Sequence, residues 1–310
     1  MAYPIPNELK NASTRRGVLK LSAPAKVNLA LAVGPPRPSD GYHPICSWMC
    51  PISLADDLTL TRLEDDRLSR YAIVWHQDAP RPSPIDWSIT KDLGVRAHHL
   101  LEKEAARPLP LQMKLEKRVP VGGGLGGGSS DAAAVLLGVR ALFELDIPDA
   151  RLLELAMSLG SDVAFFLSPR PSIVEGLGER LTPAPGVSAH ALLIIPEFGC
   201  PTGAVYKAFD ADPPATLDHR RVHTLATAGR IDTHALFNDL ASPAERVAPA
   251  LAPLRARAAD AIAHPVHVTG SGSTLFAVFE SAADAEDARD EAIASVPGVA
   301  CVVTTLGAPA

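Results

Sequence analysis

The sequence of 310 residues has no excess of positive charge, few cysteines and no long apolar run. Its 29 Lys and Arg residues are outnumbered by 35 Asp and Glu residues, which gives a formal net charge of −6. Nucleic-acid-binding proteins need a basic face, so this balance argues against a nucleic-acid partner. An anionic small molecule would have to be bound by local donors and not by the field of the whole protein.

The cysteines are scattered along the chain. They are Cys46, Cys50, Cys200 and Cys301, and no two of them form a C-x-x-C pair. This spacing argues against a zinc site. It is typical of buried thiols in a reducing compartment, so we expect a cytoplasmic protein.

Signals for targeting and for membrane insertion are also missing. No apolar run approaches the roughly 18 residues that a membrane-spanning helix needs, so we expect no membrane partner. Residues 1–17 are polar and carry Arg15 and Arg16 without an apolar core, a composition that does not fit a signal peptide. We expect these residues to form a disordered extension.

What the sequence does contain is a glycine loop at residues 120–131, PVGGGLGGGSSD, in which six of the seven positions 122–128 are glycine. Glycine costs backbone entropy inside a helix or strand, so this segment predicts a loop. Apolar residues at 132, 135, 136, 139, 142 and 143 then predict a helix, with Ser129 or Ser130 as its N-cap. A bare loop before a helix N-terminus favours an anion, and phosphate is the obvious candidate.

Other interpretations of the glycine loop are weaker. A flexible Gly/Ser linker would not be framed by a strand-like segment at 111–117 and an apolar helix. The phosphate-binding pattern G-x-x-x-x-G-K-[ST] is absent, and a G-x-G-x-x-G match carries little weight in so glycine-rich a segment.

Polar residues outside the loop are further candidates. Lys26 and Asn28 share one face of the second of two short strands expected over 18–33, broken at Pro24. That stretch taken alone favours a solvated face. Asp162 precedes the apolar run 163–167, where a carboxylate is either a helix cap or a functional group in a dry pocket.

Together these residues meet the needs of phosphoryl transfer. Such a site requires a phosphate cradle, a positive charge, a hydroxyl for Mg²⁺ and a group that accepts a proton. The glycine loop, Lys26, one of Ser129 and Ser130, and Asp162 would supply them. For Lys26 and Asp162 singly, a surface lysine and a helix cap remain the simpler interpretations.

The order of predicted elements indicates an α+β protein. A proline-bearing segment with Pro169 and Pro171 is a plausible domain boundary, which divides the chain into residues 1–170 and 171–310. The second part ends in a β-α-β order that resembles the ferredoxin-like motif.

Four segments taken together resemble the GHMP kinases, a family named for galactokinase, homoserine kinase, mevalonate kinase and phosphomevalonate kinase. They are residues 23–29 (APAKVNL), 120–133, 159–163 (LGSDV) and 269–272 (TGSG). The resemblance implies a two-domain fold, with an N-terminal ATP-binding α/β domain and a C-terminal ferredoxin-like substrate domain. It also implies ATP as co-substrate, with Mg²⁺.

A fifth segment narrows the resemblance. Asp40, Gly41, Tyr42 and His43 form a D-G-Y-H turn. With the APAKVNL segment, this turn is similar to the branch of the family that phosphorylates the 2-hydroxyl group of cytidine diphosphate-linked methylerythritol in the non-mevalonate isoprenoid pathway.

The resemblance also implies roles for individual residues. Asp162 would be the catalytic base, and Lys26 would stabilise the developing charge beside it. The substrate would be bound by Asn28, Tyr42, His43, Thr202, Tyr206, Gly270 and Ser271. ATP would be bound by Pro120, Val121, Gly122, Gly123, Gly124, Leu125, Gly126, Gly127, Gly128, Ser129 and Ser130. No acidic magnesium ligand of the kind used in other branches is found, which leaves Ser129 or Ser130 as the metal-binding candidate.

Two alternatives stay open from the sequence. One is another GHMP kinase that acts on homoserine, mevalonate or a sugar, against which the D-G-Y-H turn speaks. The other is a non-catalytic relative that binds a ligand, against which the presence of both Lys26 and Asp162 speaks. In either case we expect a small molecule as the partner and a monomer or weak homodimer.

Overall fold

The computed structural model describes residues 17–212 and 216–307 of the chain. Apart from Gly17, the extension predicted for residues 1–17 lies outside this part. In the part described, no helix has both the length and the apolar character needed to cross a bilayer.

The described residues form eleven strands and nine α-helices in mixed order. The strands are β1 (Val18–Val33), β2 (Ile45–Arg62), β3 (Arg70–Trp75), β4 (Leu111–Lys117), β5 (Ser172–Gly176), β6 (Arg180–Pro183), β7 (Ala189–Ile195), β8 (Phe237–Asn238), β9 (His267–Val268), β10 (Leu275–Phe279) and β11 (Ala300–Leu306). The helices are α1 (Leu93–Ala105), α2 (Gly127–Leu142), α3 (Asp149–Leu159), α4 (Val163–Phe166), α5 (Thr202–Phe209), α6 (His219–Thr227), α7 (Ala241–Val247), α8 (Leu251–Ile262) and α9 (Ala282–Ser295). The predicted α+β class is confirmed.

The two longest strands, β1 and β2, pair antiparallel along most of their length. The prediction of two short strands broken at Pro24 is wrong, because β1 continues through the proline. The register shifts between Pro24 and Lys26, and again between Asn28 and Ala30. Such irregularities accommodate a residue without a backbone N–H and also redirect the side chains that follow. They therefore affect how Lys26 and Asn28 are presented.

Two groups of strands extend from this pair. In the first, β2 pairs with β1, β4 and β5, while β3 and β6 extend from β4 and β5. In the second, the order is β11-β7-β10-β9, with antiparallel pairing throughout. One pair of residues, Leu306 and Ile52, connects β11 to β2. The division into residues 1–170 and 171–310 stays a prediction, and β5 pairs with β2 of the first group.

The helix after the glycine loop, α2, is buried along most of its length. It packs so closely on the β1–β2 pair that a Cβ atom at Gly138 would lie 2.5 Å from Leu60 and 2.6 Å from Leu21. This packing fixes the N-terminus of α2, and with it the glycine loop, relative to β1. The loop is thus held by a rigid layer and is not a linker.

Candidate active site

Nearly all the predicted site residues line one cavity of about 1270 Å³. The lining includes Lys26, Asn28, Tyr42, His43, Pro120, Val121, Gly122, Gly123, Gly124, Leu125, Gly126, Gly127, Gly128, Ser129, Asp162, Thr202, Tyr206, Gly270 and Ser271. Ser130 does not line the cavity. Its side chain is buried beneath the start of α2, and its Oγ has no hydrogen-bond partner among the described residues.

The glycine loop ends in the helix start that its composition predicts, but the cap differs. The N-cap of α2 is Gly126, which has a left-handed backbone at φ 73° and no side-chain cap. The prediction that Ser129 or Ser130 caps this helix is wrong, because both serines lie in its first turn. The first hydrogen bond of the helix is donated by Ser130 N to Gly126 O at 2.9 Å. The backbone N–H groups before Ser130 are therefore not part of the helical hydrogen-bond ladder, and they face the loop. A helix N-terminus of this kind favours an anion.

A second loop, residues 269–274 between β9 and β10, packs directly on the glycine loop. Thr274 N donates to Gly123 O at 3.2 Å. A Cβ atom at Gly124 would lie 2.3 Å from Thr269 O, so a side chain there has no room. Gly270 and Ser271 lie in this second loop and line the cavity beside the glycine loop; the substrate-binding role that the resemblance implies for them stays a prediction.

Lys26 is buried and its ammonium group is fixed from several sides. Its Nζ donates to Asn28 Oδ1 at 2.6 Å and to Gly124 O at 3.0 Å, and it lies 3.6 Å from Asp162 Oδ2. Burial lowers the pKa of Lys26, while the nearby Asp162 opposes this effect. The solvated face that the strand pattern alone favoured is therefore wrong.

Asn28 is the residue that positions this lysine. Its side chain is buried, and its Nδ2 donates to Ser47 Oγ at 2.8 Å, while Ser47 Oγ donates to Ala30 O. These bonds orient the amide so that Oδ1 faces Lys26. Asn28 is therefore placed to orient Lys26 as well as to line the cavity.

Asp162 does not act as an ordinary helix cap. It occupies the N-cap position of the short helix α4, but its side chain makes no capping hydrogen bond. The carboxylate is 26% exposed and lines the cavity beside Lys26. An ionised carboxylate with free lone pairs at a cavity wall can accept a proton from a bound hydroxyl group.

Aromatic side chains gather at another part of the cavity. The His43 ring lies 5.1 Å from the Tyr206 ring and 5.7 Å from the Phe209 ring. His43 Nδ1 is 2.9 Å from Gly34 O, and because a carbonyl only accepts, that nitrogen carries a hydrogen. Its Nε2 lies 3.3 Å from Asp210 Oδ1. Burial raises the pKa of Tyr206 to about 12, with a further contribution from Asp162.

The two remaining predicted residues differ in their surroundings. Tyr42 is 65% exposed, so its ring is available to a ligand. Thr202 begins α5, and its Oγ1 lies 2.9 Å from Ser271 Oγ, which joins the aromatic side of the cavity to the second loop. Asp210, which the sequence did not single out, also lines the cavity; only its place one residue after α5 could have drawn attention to it.

A buried charge cluster below the glycine loop was missed from the sequence. Lys117 Nζ donates to Asp56 Oδ2 and to Asp131 Oδ2, each at 2.6 Å. Asp56 also accepts hydrogen bonds from Val119 N and Arg118 N, so it is the better satisfied carboxylate. Burial raises the pKa of Asp131 to about 8, against the opposing charge of Lys117.

The start of α2 offers oxygen donors suited to a hard cation. Asp131 Oδ1 and Ser130 Oγ are buried and have no hydrogen-bond partner among the described residues. Ser129 lies beside them in the cavity lining, as does Asp131. Carboxylate and hydroxyl oxygens are the ligand type that Mg²⁺ prefers, so this donor set fits that ion.

Comparisons with protein families match both halves of the chain. The GHMP kinases N terminal domain matches residues 92–170, and the GHMP kinases C terminal domain matches residues 216–297. The chain is 36% identical over 277 residues to a 4-diphosphocytidyl-2-C-methyl-D-erythritol kinase of Ralstonia pickettii, covering 87% of this chain and 88% of the relative. It is 35% identical over 291 residues to the enzyme of that name from Citrifermentans bemidjiense, covering 93% and 99%.

Solved structures agree with these sequence relatives. A crystal structure of 4-(cytidine 5'-diphospho)-2C-methyl-D-erythritol kinase superposes with a TM-score of 0.73 at 33% identity, covering 94% of this chain and all of the other. A homoserine kinase from Cytophaga hutchinsonii superposes with a TM-score of 0.68 at 16% identity, over 94% and 95% of the two chains. At that identity the second match is informative about the fold alone.

Proposed function

The chain belongs to the GHMP kinase family, and within that family we propose that it transfers the γ-phosphoryl group of ATP to the 2-hydroxyl group of 4-diphosphocytidyl-2-C-methyl-D-erythritol. This reaction belongs to the non-mevalonate route to isoprenoid precursors. The observation that carries the proposal is that one cavity contains three parts: the glycine loop, the Lys26–Asp162 pair and the His43–Tyr206 ring pair.

The glycine loop is the proposed binding site for the ATP phosphates. Its backbone is bare enough for close approach, and it leads to the N-terminal N–H groups of α2. Mg²⁺ would be held by oxygens of Ser129 and Asp131, which line the cavity, together with the phosphates, and it would neutralise charge on the triphosphate. The protein itself positions the phosphate chain through the two interlocked loops.

Asp162 is the proposed base. The acceptor hydroxyl gives its proton to the Asp162 carboxylate while its oxygen attacks the γ-phosphorus, and the bond to the β-phosphate oxygen breaks to release ADP. The Lys26 ammonium group, fixed by Asn28 and Gly124, stabilises negative charge on the attacking oxygen. A charge held in place before the reaction needs no reorganisation during it.

The aromatic part of the cavity is the proposed cytidine site. Tyr206 and the exposed Tyr42 offer ring faces for stacking, and His43 offers a ring nitrogen that can hydrogen-bond to the base. Thr202, Gly270 and Ser271 line the passage from this part toward the phosphates. The specificity for a cytidine-linked acceptor would therefore depend on residues outside the glycine loop.

A direct assay tests the proposal. The purified protein is incubated with ATP, Mg²⁺ and 4-diphosphocytidyl-2-C-methyl-D-erythritol, and ADP and the phosphorylated product are measured. Mevalonate and homoserine serve as matched acceptors. Turnover of one of these without turnover of the cytidine compound would assign the chain to another branch. Binding of cytidine nucleotides without ADP formation would support a non-catalytic relative.

We also propose that this enzyme acts in the cytoplasm. A cytoplasmic location suits the four cysteines, which are free thiols in the structure. We also retain the expectation of a monomer or weak homodimer with a small molecule as its partner. Size-exclusion chromatography with light scattering would measure the oligomeric state.

A further inference from the structure

Four potential metal ligands meet away from the proposed active site. They are Cys46 on β2, Glu175 on β5, and His219 and His223 on α6. Cys46 and Glu175 are directly opposite in the β2–β5 register, so their side chains share one face of the sheet. The two histidines are four residues apart on a helix and therefore also share a face. Three separate segments thus converge on one point.

This cluster lies on the other side of β2 from the cavity. Ile45 lines the cavity, and neighbouring side chains in a strand point to opposite faces, so Cys46 points away from it. None of the four residues belongs to the cavity lining. The cluster is therefore separate from the groups that would bind ATP and the acceptor.

The distances within the cluster suit a tetrahedral cation. Glu175 Oε1 lies 2.7 Å from His219 Nδ1, 3.5 Å from His223 Nε2 and 3.8 Å from Cys46 Sγ. The four ligand atoms all lie within 4.8 Å of one another. Zinc bonds of about 2.0–2.3 Å place neighbouring ligand atoms of a tetrahedron about 3.3–3.8 Å apart. Small side-chain movements would therefore complete the site.

The side chains of the cluster become more buried from the solvent side toward the sheet. Each histidine side chain is 44% exposed and Glu175 is 17% exposed, whereas Cys46 is fully buried. A cation can thus enter between the histidines and reach the sulfur at the bottom. Burial, followed by the charge of Glu175, raises the pKa of the Cys46 thiol to about 12, which disfavours the thiolate as long as no cation is bound.

We propose that Cys46, Glu175, His219 and His223 form a zinc site that ties α6 to the face of the sheet formed by β2 and β5. Zn²⁺ bonds to the Cys46 sulfur as its proton leaves to solvent, and the thiolate and the Glu175 carboxylate together balance the two charges of the ion. Four protein ligands leave no open position, which is typical of a structural site. The spacing of the cysteines could not show this, because the other ligands come from distant segments.

Cobalt is the direct probe, because Co²⁺ in a tetrahedral site with a thiolate ligand has a sulfur-to-cobalt charge-transfer band. The band disappears when Zn²⁺ replaces the Co²⁺. The full-length protein is stripped of metal and titrated with Co²⁺ and then with Zn²⁺. We expect one Co²⁺ per chain with this band, followed by its loss as zinc replaces cobalt. Failure of the wild-type protein to give the band would overturn the proposal.

Variants distinguish a specific zinc site from nonspecific binding of metal by histidine side chains. His219→Ala/His223→Ala should weaken zinc binding by about a hundredfold or more, because half of the ligands are lost. Cys46→Ser should remove the charge-transfer band. His99→Ala is the matched control, since His99 belongs to another histidine–glutamate cluster and is exposed. Equal binding by the wild type and the double variant would refute the site, as would a band that survives Cys46→Ser.

A stability measurement provides a readout that does not depend on colour. A ligand that binds only the folded state raises the melting temperature. Zinc should therefore raise the melting temperature of the wild type and of His99→Ala but not that of the double variant. We expect the variants to fold, because the two histidine side chains are half-exposed. Circular dichroism checks this.

Discussion

Lys26 Nζ and Asp162 Oδ2 lie 3.6 Å apart at the wall of the cavity, although β1 and α4 are distant in the sequence. The ammonium group is not free to move toward the carboxylate, because Asn28 Oδ1 and Gly124 O also accept hydrogen bonds from it. The pair is therefore close enough to interact electrostatically while the carboxylate keeps lone pairs for another donor. This arrangement suits a base beside a fixed positive charge.

The first prediction concerns Asp162→Asn. Removing the proposed base should lower kcat by about 10²- to 10⁴-fold, the usual contribution of a positioned base. Melting temperature and ATP affinity should change little, because the side chain makes no capping bond. Steady-state kinetics and calorimetry measure both. Asp260→Asn, on the exposed side of α8, is the control for loss of a carboxylate. A D162N rate within about tenfold of the wild-type rate would contradict the role.

The second prediction concerns Tyr206. Stacking of a nucleic-acid base on an aromatic ring contributes about 1–3 kcal/mol, which corresponds to about 5- to 150-fold in affinity. Tyr206→Ala should raise KM for the cytidine substrate by a factor in this range and leave KM for ATP nearly unchanged. Tyr206→Phe keeps the ring and is the matched control. If the phenylalanine variant behaved like the alanine variant, stacking would not be the reason.

Local patterns in the sequence predicted the elements that have one strongly buried face. The strand at 111–117 and the helix predicted after the glycine loop are confirmed. The strand β3 was missed because its side chains alternate between exposed and half-buried positions, which leaves no clear apolar pattern. Its place is fixed instead by parallel pairing with β4, a contact between distant segments.

The residues of the candidate site also fall into those with a local sequence pattern and those that only the fold brings together. The glycine loop has a local signature, so its position at a helix start could be predicted from composition. Lys26 and Asp162 could not be connected by any local rule, and only the family resemblance placed them together. Lys117 and Asp131 meet because β4 and the start of α2 both pack beneath the loop. Such contacts depend on the three-dimensional packing, which no spacing in the sequence encodes.

The third prediction compares two glycines of the loop. Gly126 and Gly122 both have left-handed backbones, at φ 73° and 72°. A Cβ atom at Gly126 would lie 2.9 Å from the Phe166 ring, whereas one at Gly122 would meet nothing within 4 Å. Both alanine variants carry the backbone cost of about 1–2 kcal/mol. Gly126→Ala should lose about 1–3 kcal/mol more in free energy of unfolding, because of overpacking.

Urea denaturation measures that difference, and KM for ATP measures its effect on the loop. Gly122→Ala is the matched control, because it shares the backbone strain but not the clash. We expect KM for ATP to rise more in Gly126→Ala, since Gly126 is the N-cap of α2. Equal stability of the two variants would show that the contact with Phe166 relaxes without consequence.

The fourth prediction concerns pH and His267, a partly buried residue whose Nε2 donates to Thr233 O at 2.9 Å. Burial, together with the nearby charge of Arg255, lowers the pKa of His267 to about 4 from an ordinary value of about 6.5. Between these values the unfolded chain binds more protons than the folded chain. The free energy of unfolding should therefore fall as the pH drops from about 6.5 to about 4, by at most about 3 kcal/mol from this residue.

The variant His267→Gln isolates this effect, because glutamine can still donate to the Thr233 carbonyl but does not titrate. Urea denaturation of both proteins between pH 7 and pH 4 should show the wild type losing more stability than the variant. At pH 7 the stabilities of the two proteins should differ by little more than a constant offset, because the imidazole is largely neutral in both the folded and the unfolded state there. An unchanged slope in His267→Gln would mean that the folded protein protonates this ring as readily as the unfolded chain does.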